Sequence, residues 1–376
     1  MKPSGLTRLL VGVVLFACAN VAAFATDYYA AYGAQPGGDC TSPALPCDLA
    51  YAIGVASGAD VRIHIAGSPS IYRPQVTYGD KSMTLIGDGI NETLIGSGST
   101  DPKCAITLTT ATIELQNLQL RNGSGCCGRG VCVTVPDGAT ASLTLNRVWL
   151  NTGNDGGRGI DATTAGSGSV TIDVVDSLIQ NNGDGGIVLA GKGTVDIERS
   201  LFTHDYGNSY TTASLQISGN VTTTVTNSTY TNNGVDGTTG GIAHASNGLL
   251  TVNNVTFSGN AGFAISANVA SINHSIIDGT CSISGVLGGD YSVESPGNTC
   301  SLAAATSLVN MPSGALNLGL LADNGGFTQT MLPQSGSVAI GLGGAGCEPV
   351  DQRSLARGGT CDAGAVQEGI FKSQFD

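Results

Sequence analysis

The sequence predicts an all-β protein folded as a right-handed, single-stranded parallel β-helix, and three observations lead to this prediction. A short segment recurs along the chain, its copies alternate apolar with polar residues, and glycine and asparagine cluster between them. The copies begin at residues 116, 146, 176, 199, 227, 254 and 273, which places them 19 to 30 residues apart. A period of about 20 to 50 residues is typical of folds built from stacked repeats.

A second series of residues repeats with the same period and supports the coil interpretation. In each copy a small residue is followed by an aliphatic one, and the aliphatic residues are Val131, Ile160, Ile187, Leu215, Ile242 and Ile265. The repeats are rich in Val, Ile and Thr, which favours strands over helices, and they are too short for propeller blades of about 40 residues. Each repeat is therefore expected to form one coil of about three short strands, with nine or ten coils stacked at ~4.8 Å.

Stacking places equivalent residues of successive coils directly above one another. Asparagine-rich segments such as NSTYTNNG, at residues 227–234, are then explained, because amides at one position can hydrogen-bond along the stack. Apolar residues at another fixed position are expected to form an interior file: Trp149, Ile179, Phe202, Tyr230, Phe257 and Ile276.

The two ends of the chain differ from the repeats. Residues 1–25 have a basic start, a short apolar run and an A-x-A site at 23–25, which predicts a cleaved signal peptide. The apolar run is too short to span a bilayer comfortably, so no transmembrane segment is expected after cleavage. Residues 26–58 are expected to cap the N-terminal end with a helix in CDLAYAIGVAS, and residues 59–300 to form the coils. Residues 301–376 are expected to form a C-terminal cap and tail.

Charged residues cluster once in the C-terminal segment. Asp351, Arg353, Arg357 and Asp362 fall in or beside the short segment between Cys347 and Cys361, where opposite charges are expected to satisfy one another. A structural ion-pair cluster is therefore predicted there.

The cysteines predict disulfides in an oxidising compartment. Removing Cys18 with the signal leaves ten of the eleven cysteines, an even number. Spacing suggests the pairs Cys40–Cys47, Cys281–Cys300 and Cys347–Cys361. The remaining Cys104, Cys126, Cys127 and Cys132 could form two further bridges of undetermined pairing, with a metal site as the alternative.

The charge balance excludes two classes of partner. The formal net charge is −13 and becomes −15 when Lys2 and Arg8 leave with the signal. Binding to nucleic acid or to anionic lipid requires basic patches, and none is present. Only 11% of the residues are charged, so the surface consists largely of Ser, Thr, Asn and Gly and suits sugars or other proteins. A monomer is expected.

The C-terminal segment carries a family resemblance. LGLLADNGGFTQTMLPQSGSVAIGLG is followed by C-x3-DQRSLARGGTCDAGAVQ, which resembles the tail of bacterial choice-of-anchor Q β-helix proteins. In that family the pattern is D-Q-R-G, then R-P, then C-D-I-G-A-x-E, and here Ser354, Gly358, Ala363 and Gln367 replace its Gly, Pro, Ile and Glu. The coils also resemble polymorphic outer-membrane-protein repeats, and the N-terminal part resembles pectate-lyase-like β-helix entrances. The resemblance implies a secreted or outer-surface protein of a Gram-negative bacterium, or a periplasmic one, and it implies no reaction.

A column of aspartates is the first candidate for chemistry. Asp155, Asp184, Asp205 and Asp236 each follow a repeat strand at a similar offset. Carboxylates on neighbouring coils would repel one another, so they could share a Ca²⁺ ion, for which Asp155, Asp184 and Asp236 are the candidate ligands. Alternatively, their mutual repulsion could raise the pKa of one carboxyl above that of its neighbour, so that one acts as an acid and the other as a base in catalysis. They could also serve simply as Asp-Gly turn residues that point into solvent.

A cluster of aromatic residues is the second candidate. His204, Tyr206 and Tyr210 fall in the long segment THDYGNSYTTAS, where aromatic rings could stack on sugar faces, although a plain surface loop explains them as well. The coils contain few Arg or Lys residues that could serve a lyase, and His64 is expected in a buried strand.

Two functions from different classes follow from these observations. The first is binding or adhesion, with a polysaccharide or another cell-surface component as the partner. The second is a polysaccharide lyase or glycoside hydrolase that uses the aspartate column, with or without Ca²⁺. A passive structural rod is a third possibility.

Overall fold

The computed structural model describes residues 25–58, 60–74, 81–96, 104–121, 128–153, 156–206, 213–235, 239–344 and 346–369. Of the predicted signal peptide, residues 1–24 lie outside these ranges and Ala25 lies within them. These residues contain one α-helix, α1 (Leu49–Val55), one 3₁₀ turn (Ser313–Ala315) and 22 strands that pair only in parallel with one another. The strands are β1 (Thr26–Ala30), β2 (Val61–Ile65), β3 (Met83–Gly87), β4 (Leu94–Gly96), β5 (Cys104–Leu108), β6 (Thr112–Gln116), β7 (Gln119–Arg121), β8 (Arg129–Val135), β9 (Thr140–Asn146), β10 (Trp149–Asn151), β11 (Ile160–Thr164), β12 (Ser169–Val175), β13 (Leu178–Gln180), β14 (Ile187–Glu198), β15 (Leu201–Thr203), β16 (Leu215–Thr226), β17 (Thr229–Thr231), β18 (Thr239–Ser246), β19 (Leu250–Asn253), β20 (Thr256–Asn273), β21 (Ile276–Val286) and β22 (Val293–Ser295).

The strands form a parallel β-helix with three faces, as the sequence predicts. Face A contains, in order, β1, β2, β3, β6, β9, β12, the ends of β14 and β16, β19 and the end of β20. Face B begins with β4, β7, β10, β13, β15 and β17, and face C begins with β5, β8 and β11. Eight successive turns of the described residues, from β3 to β21, have strand on all three faces, fewer than the nine or ten coils expected. The turn after β1 contains a loop and α1 in place of further strands.

The interior file confirms that equivalent residues stack in register. Phe202, Tyr230 and Phe257 pair successively and are completely buried, with ring centroids 4.5 and 5.2 Å apart. The second series, from Val131 to Ile265, likewise pairs residue by residue on face C.

Two members of the predicted interior file were wrong by one residue. Leu150, not Trp149, aligns with Ile179, and Ile277, not Ile276, aligns with Phe257. The register differs because the turn before each strand is made by Arg147 and His274, one residue later than the repeat frame suggested. Ile276 is still buried, but it packs against the C-terminal segment.

From β6 onward, one residue of left-handed conformation makes each turn from face A to face B. Asparagine tolerates this conformation better than other non-glycine residues, which gives a second reason for its recurrence. The residues that make these turns have φ values from 46° to 56° and are Asn117, Arg147, Asp176, Arg199, Asn227, Asn254, His274 and Tyr291.

The predicted asparagine ladder is present after face B. The Nδ2 of Asn182 donates to Oδ1 of Asp205 at 2.9 Å, the backbone N–H of Asp205 donates to Oδ1 of Asn233 at 3.0 Å, and Nδ2 of Asn233 donates to Oδ1 of Asn260 at 3.0 Å. The three asparagines also donate to interior-file carbonyls of the preceding coil at 2.8 to 3.1 Å. The ladder therefore satisfies buried backbone groups that the turns leave unpaired.

The N-terminal segment both starts and covers the stack. Its first strand, β1, pairs with β2 on face A, which the sequence did not anticipate for residues 26–58. The predicted helix is α1: Asp48 caps it by accepting from the Ala50 N–H at 2.9 Å, and Leu49, Ala52 and Ile53 are buried on one side of it.

The C-terminal segment lies along the side of the coils as well as over the last one. Gln352 accepts from the Thr229 hydroxyl at 2.6 Å and donates to the Ser200 carbonyl at 3.3 Å. The Gly364 N–H donates to the His274 carbonyl at 2.7 Å. The segment thus follows the edge between faces A and B across several coils, where the sequence suggested only a terminal cap.

Four disulfides are present in the described residues. Three join the pairs expected from spacing, Cys40–Cys47, Cys281–Cys300 and Cys347–Cys361, and the fourth joins Cys104 to Cys132. Cys126 and Cys127 lie outside the described residues.

Half of the expected charge cluster is an ion pair. Arg353 donates to the Asp351 carboxylate at 2.6 Å, and both side chains are buried. Arg357 instead donates to backbone carbonyls and to Oδ1 of Asn227, and Asp362 accepts from backbone N–H groups. In the described residues no helix is long and apolar enough to cross a bilayer.

Candidate functional site

A groove of about 460 Å³ runs over face A beside the C-terminal segment. Its floor comes from the outward residues of three successive coils, on β12, β14 and β16. The lining residues are Asp173, Val175, Asp196, Ile197, Glu198, Thr224, Thr226 and Glu348.

The register of face A aligns the polar groups of this groove. Asp173 pairs with Asp196, which pairs with Thr224, so these side chains form one file at the ~4.8 Å strand spacing. Because side chains alternate across a strand, Glu198 lies on the same side as Asp196, two residues further along. The groove floor therefore presents polar groups that repeat along the axis of the β-helix.

The C-terminal segment supplies one wall of the groove. Glu348 follows Cys347, whose disulfide closes the local loop, and its N–H donates to Oδ1 of Asn254 at 3.1 Å. This wall is thereby fixed to the turn between faces A and B.

Carboxylates dominate the electrostatics of the groove. Burial, and next the charge of the neighbouring Asp196, raises the pKa of Asp173, while a hydrogen bond with Thr144 opposes the shift. At the edge, the Arg199 guanidinium donates to Asp176 at 2.8 Å and also contacts Glu198. Arg199, a cation at this edge, is thus already paired with two carboxylates.

The carboxylates of the groove can bind hydroxyl groups, and two of them can act as an acid and a base. Carboxylates accept strong hydrogen bonds from hydroxyls. Two carboxylates on adjacent coils, one of them with a raised pKa, also match the acid and base that glycoside hydrolysis needs.

The aspartates singled out in the sequence do not form an exposed column in the described residues. Asp184 lies beside face C, where its carboxylate accepts from Arg158 at 2.9 Å. Asp205 is completely buried as a member of the asparagine ladder, and burial raises its pKa to about 7. Asp155 and Asp236 lie outside the described residues, so the proposed Ca²⁺ ligand set is represented by Asp184 alone. Within the described part of the chain, no cluster of three or more His, Cys, Asp or Glu side chains has metal-site geometry.

The predicted aromatic cluster lies away from the groove. The His204 and Tyr206 rings are 6.1 Å apart and tilted, and His204 Nδ1 lies 2.8 Å from the Thr203 hydroxyl. They occupy the turn that follows face B, and Tyr210 lies outside the described residues.

The groove residues were not identified from the sequence, because the repeat segments that were compared begin just after Asp173 and Asp196. Asp173 and Asp196 occupy equivalent positions in the fragments TIDVV and TVDIE, just before the segments used to define the repeat. Aligning those preceding strands would have placed the two aspartates side by side. The contribution of Glu348 has no comparable signal, because it comes from a distant segment without a repeat.

Of the comparisons with known proteins, the one with solved structures gives a match, and it bears on the fold alone. No protein family and no curated protein sequence matches the chain. The crystal structure of pectate lyase Pel9A is similar over 93% of this chain and 97% of that chain, with a TM-score of 0.53 and 14% sequence identity. At this identity the likeness shows the fold alone, and the finer resemblance to choice-of-anchor Q proteins stays a prediction. The chain therefore has the parallel β-helix fold of that structure.

Proposed function

We propose that this protein is exported and binds a polysaccharide along face A. The observation that carries the proposal is the groove, in which polar side chains of three successive coils align beside the wall made by Glu348. A polymer of repeating units fits a surface whose hydrogen-bonding groups also repeat. The four disulfides support export, because disulfides persist in oxidising compartments.

The charges of the groove favour a neutral polysaccharide. Asp173, Asp196, Glu198 and Glu348 line it, and Arg199 is already engaged by two carboxylates. A polyuronate would meet like charge, whereas hydroxyl groups of a neutral chain would donate to the carboxylates. If that polysaccharide belongs to a cell surface, the protein acts as an adhesin.

Binding is tested by affinity electrophoresis and titration calorimetry with soluble xylan, galactomannan, galactan and polygalacturonate. Asp196→Ala is expected to weaken binding of a neutral polysaccharide about tenfold, because it removes a charged acceptor from the groove floor. Asp184→Ala is the matched control: it removes a carboxylate beside face C, and Arg158 keeps Asp161 as a partner. Binding that is unchanged by Asp196→Ala, or no binding by the wild type, would contradict the proposal.

A second candidate function is glycoside hydrolysis. Asp173 and Asp196 are neighbours on adjacent coils, and the raised pKa of Asp173 suits a general acid. A lyase is less well supported, because Arg199 at the groove edge is held in ion pairs and Arg357 donates to backbone carbonyls and to Asn227.

The two functions are separated by turnover. A hydrolase would release reducing ends from a neutral polysaccharide, and Asp173→Asn would abolish that release while leaving retention in the gel largely unchanged. Retention of the polysaccharide without new reducing ends would leave binding as the function.

A further inference from the structure

A second pocket lies on face A at the N-terminal end of the β-helix. It has a volume of about 380 Å³, within the range of small-molecule sites. Its walls are Tyr29, Ala30, Ala31, Pro43, Pro46, His64, Ile65, Ala66 and Asp88.

The loop that closes this pocket is firmly attached. Cys47 exchanges backbone hydrogen bonds with β1: its N–H donates to the Tyr29 carbonyl, and its carbonyl accepts from Ala31, both at 2.9 Å. The Cys40–Cys47 disulfide closes the same loop, which carries Pro43 and Pro46. The pocket is therefore preformed by a covalently pinned loop packed on the first strand.

Two aromatic rings form one side of the pocket. Tyr29 and His64 occupy paired positions on β1 and β2, and their rings stack with centroids 5.1 Å apart and an interplanar angle of 17°. Asp27 fixes the imidazole through a 2.9 Å contact with Nε2. Although the sequence suggested a buried position for His64, its side chain is 38% exposed. Nδ1 of this ring has no hydrogen-bond partner among the described residues, so it can serve a ligand.

The chemistry of this pocket matches a sugar ring. Aromatic rings and proline side chains offer apolar surface to the C–H groups of a pyranose, while Asp88 and His64 Nδ1 offer polar groups to its hydroxyls. We propose that this pocket is a second saccharide-binding site, which holds a unit of the same polysaccharide chain that occupies the groove. The inference rests on the proposed function, since it assigns one polymer to both places.

The register of face A connects the two sites. His64, Ile86, Gln116, Asn146 and Val175 follow one another in a single file of outward, partly exposed side chains. Four strand spacings separate His64 from Val175 at the groove, a distance of about 19 Å. Within the described residues, the file between them is uncharged and offers the amides of Gln116 and Asn146 to a chain lying across it. Long chains would reach both sites, whereas a disaccharide would occupy only one.

The test compares long chains with disaccharides of xylan, galactomannan and galactan by titration calorimetry. Tyr29→Ala is expected to weaken binding of a long chain about tenfold and to leave binding of short fragments to the groove unchanged. Tyr29→Phe, which keeps the ring, should restore the affinity. Tyr32→Ala is the matched control, because Tyr32 is an exposed tyrosine of the same region that does not line the pocket. If Tyr29→Ala fails to fold, His64→Gln gives the same comparison while keeping a hydrogen-bonding group near Asp27.

The outcomes separate this inference from the proposed function. A wild-type protein that binds none of the three polysaccharides, or that is insensitive to Asp196→Ala, contradicts both. Weaker binding in Asp196→Ala with full long-chain affinity in Tyr29→Ala and His64→Gln overturns the second site alone. An equal loss for short and long chains in Tyr29→Ala also overturns it, because the pocket would then not add contacts specific to a long chain.

Discussion

Tyr230 stacks on Phe257 in the interior of the β-helix, with ring centroids 5.2 Å apart on adjacent coils. Phe202 stacks on the other side of Tyr230, so three aromatic rings of successive coils form a continuous column. All three are completely buried. The column fills one interior position of three successive coils in a core that otherwise consists mainly of aliphatic side chains.

Phe257→Ala should therefore be strongly destabilising. The substitution removes a buried ring and leaves a cavity between Tyr230 and Ile277, which is expected to lower the free energy of unfolding by about 3 to 5 kcal/mol. Phe263→Ala is the control, since Phe263 lies on the same strand, β20, but is 40% exposed, and it should cost less than about 1 kcal/mol. Urea denaturation measures both, and similar losses in the two variants would contradict the assigned interior file.

The interior files and the ladder could be predicted from sequence because they depend on one repeated register. In a stack each structural position occurs once per coil, so the apolar residues Phe202, Tyr230 and Phe257 recur at the same position of successive repeats. The prediction slipped at Trp149 because the turn residue there is Arg147 rather than an asparagine or aspartate, and the frame was set one residue early. Local sequence contained the period, but only the pairing with neighbouring strands fixed the position within it.

Asp205 should make stability depend on pH. Burial raises its pKa from 3.8 to about 7, against hydrogen bonds from Ser214 and Asn182, so the folded chain binds a proton that the unfolded chain releases. Stability should therefore fall as the pH rises from about 4 to about 7, by at most about 1.4 kcal/mol per pH unit from this group.

Asp205→Asn isolates that contribution. The variant places an amide where the ladder has asparagine at three other positions, and it cannot ionise. Urea denaturation from about pH 4 to about pH 8 should show the variant gaining stability relative to the wild type as the pH rises, with no further gain well above pH 7. A constant difference across this range would show that Asp205 does not titrate as described.

The buried ion pair in the C-terminal segment should be costly to break. Arg353 and Asp351 are 3% and 0% exposed, and Arg353 also donates to the Gln367 carbonyl at 2.7 Å. Arg353→Ala leaves the Asp351 carboxylate buried and should lower the free energy of unfolding by about 3 to 5 kcal/mol.

The exposed pair Arg62–Asp60 provides the comparison. Its side chains are 47% and 46% exposed, so Arg62→Ala should change stability by less than about 1 kcal/mol. Limited proteolysis would additionally show whether Arg353→Ala releases the C-terminal segment from the coils. Equal effects of the two arginine substitutions would argue against a buried structural role for Arg353.

The lateral course of the C-terminal segment could not be predicted from its sequence. Its contacts join residues more than a hundred positions apart, such as Gln352 with Thr229 and Arg357 with Asn227, and none of them repeats. The same is true of the groove, because Glu348 reaches it only through this packing. The alignment of Asp173 with Asp196, in contrast, was predictable, because the two residues stand at the same position of TIDVV and TVDIE. The Asp-Gly pairs of the loops are the more prominent signal in the sequence, and they pointed to other aspartates.

Peptide mapping without reduction tests the cysteine pairing that spacing left open. A crosslink between the peptides containing Cys104 and Cys132 is expected, together with the pairs Cys40–Cys47, Cys281–Cys300 and Cys347–Cys361. Cys104 lies on β5 and Cys132 on the paired strand β8, so detection of either residue with a different partner would contradict the Cys104–Cys132 disulfide.

Carboxylate footprinting tests most directly whether face A is the polysaccharide-binding surface. The protein is labelled with a carbodiimide and glycine ethyl ester, with and without a saturating amount of the neutral polysaccharide it binds best, and labelling is quantified residue by residue by mass spectrometry. Asp173, Asp196 and Glu198 should be labelled several-fold less in the presence of the polysaccharide, while Asp60 and Asp323, which lie outside the groove, should be unaffected. Equal labelling of the three groove carboxylates with and without the polysaccharide would contradict the account.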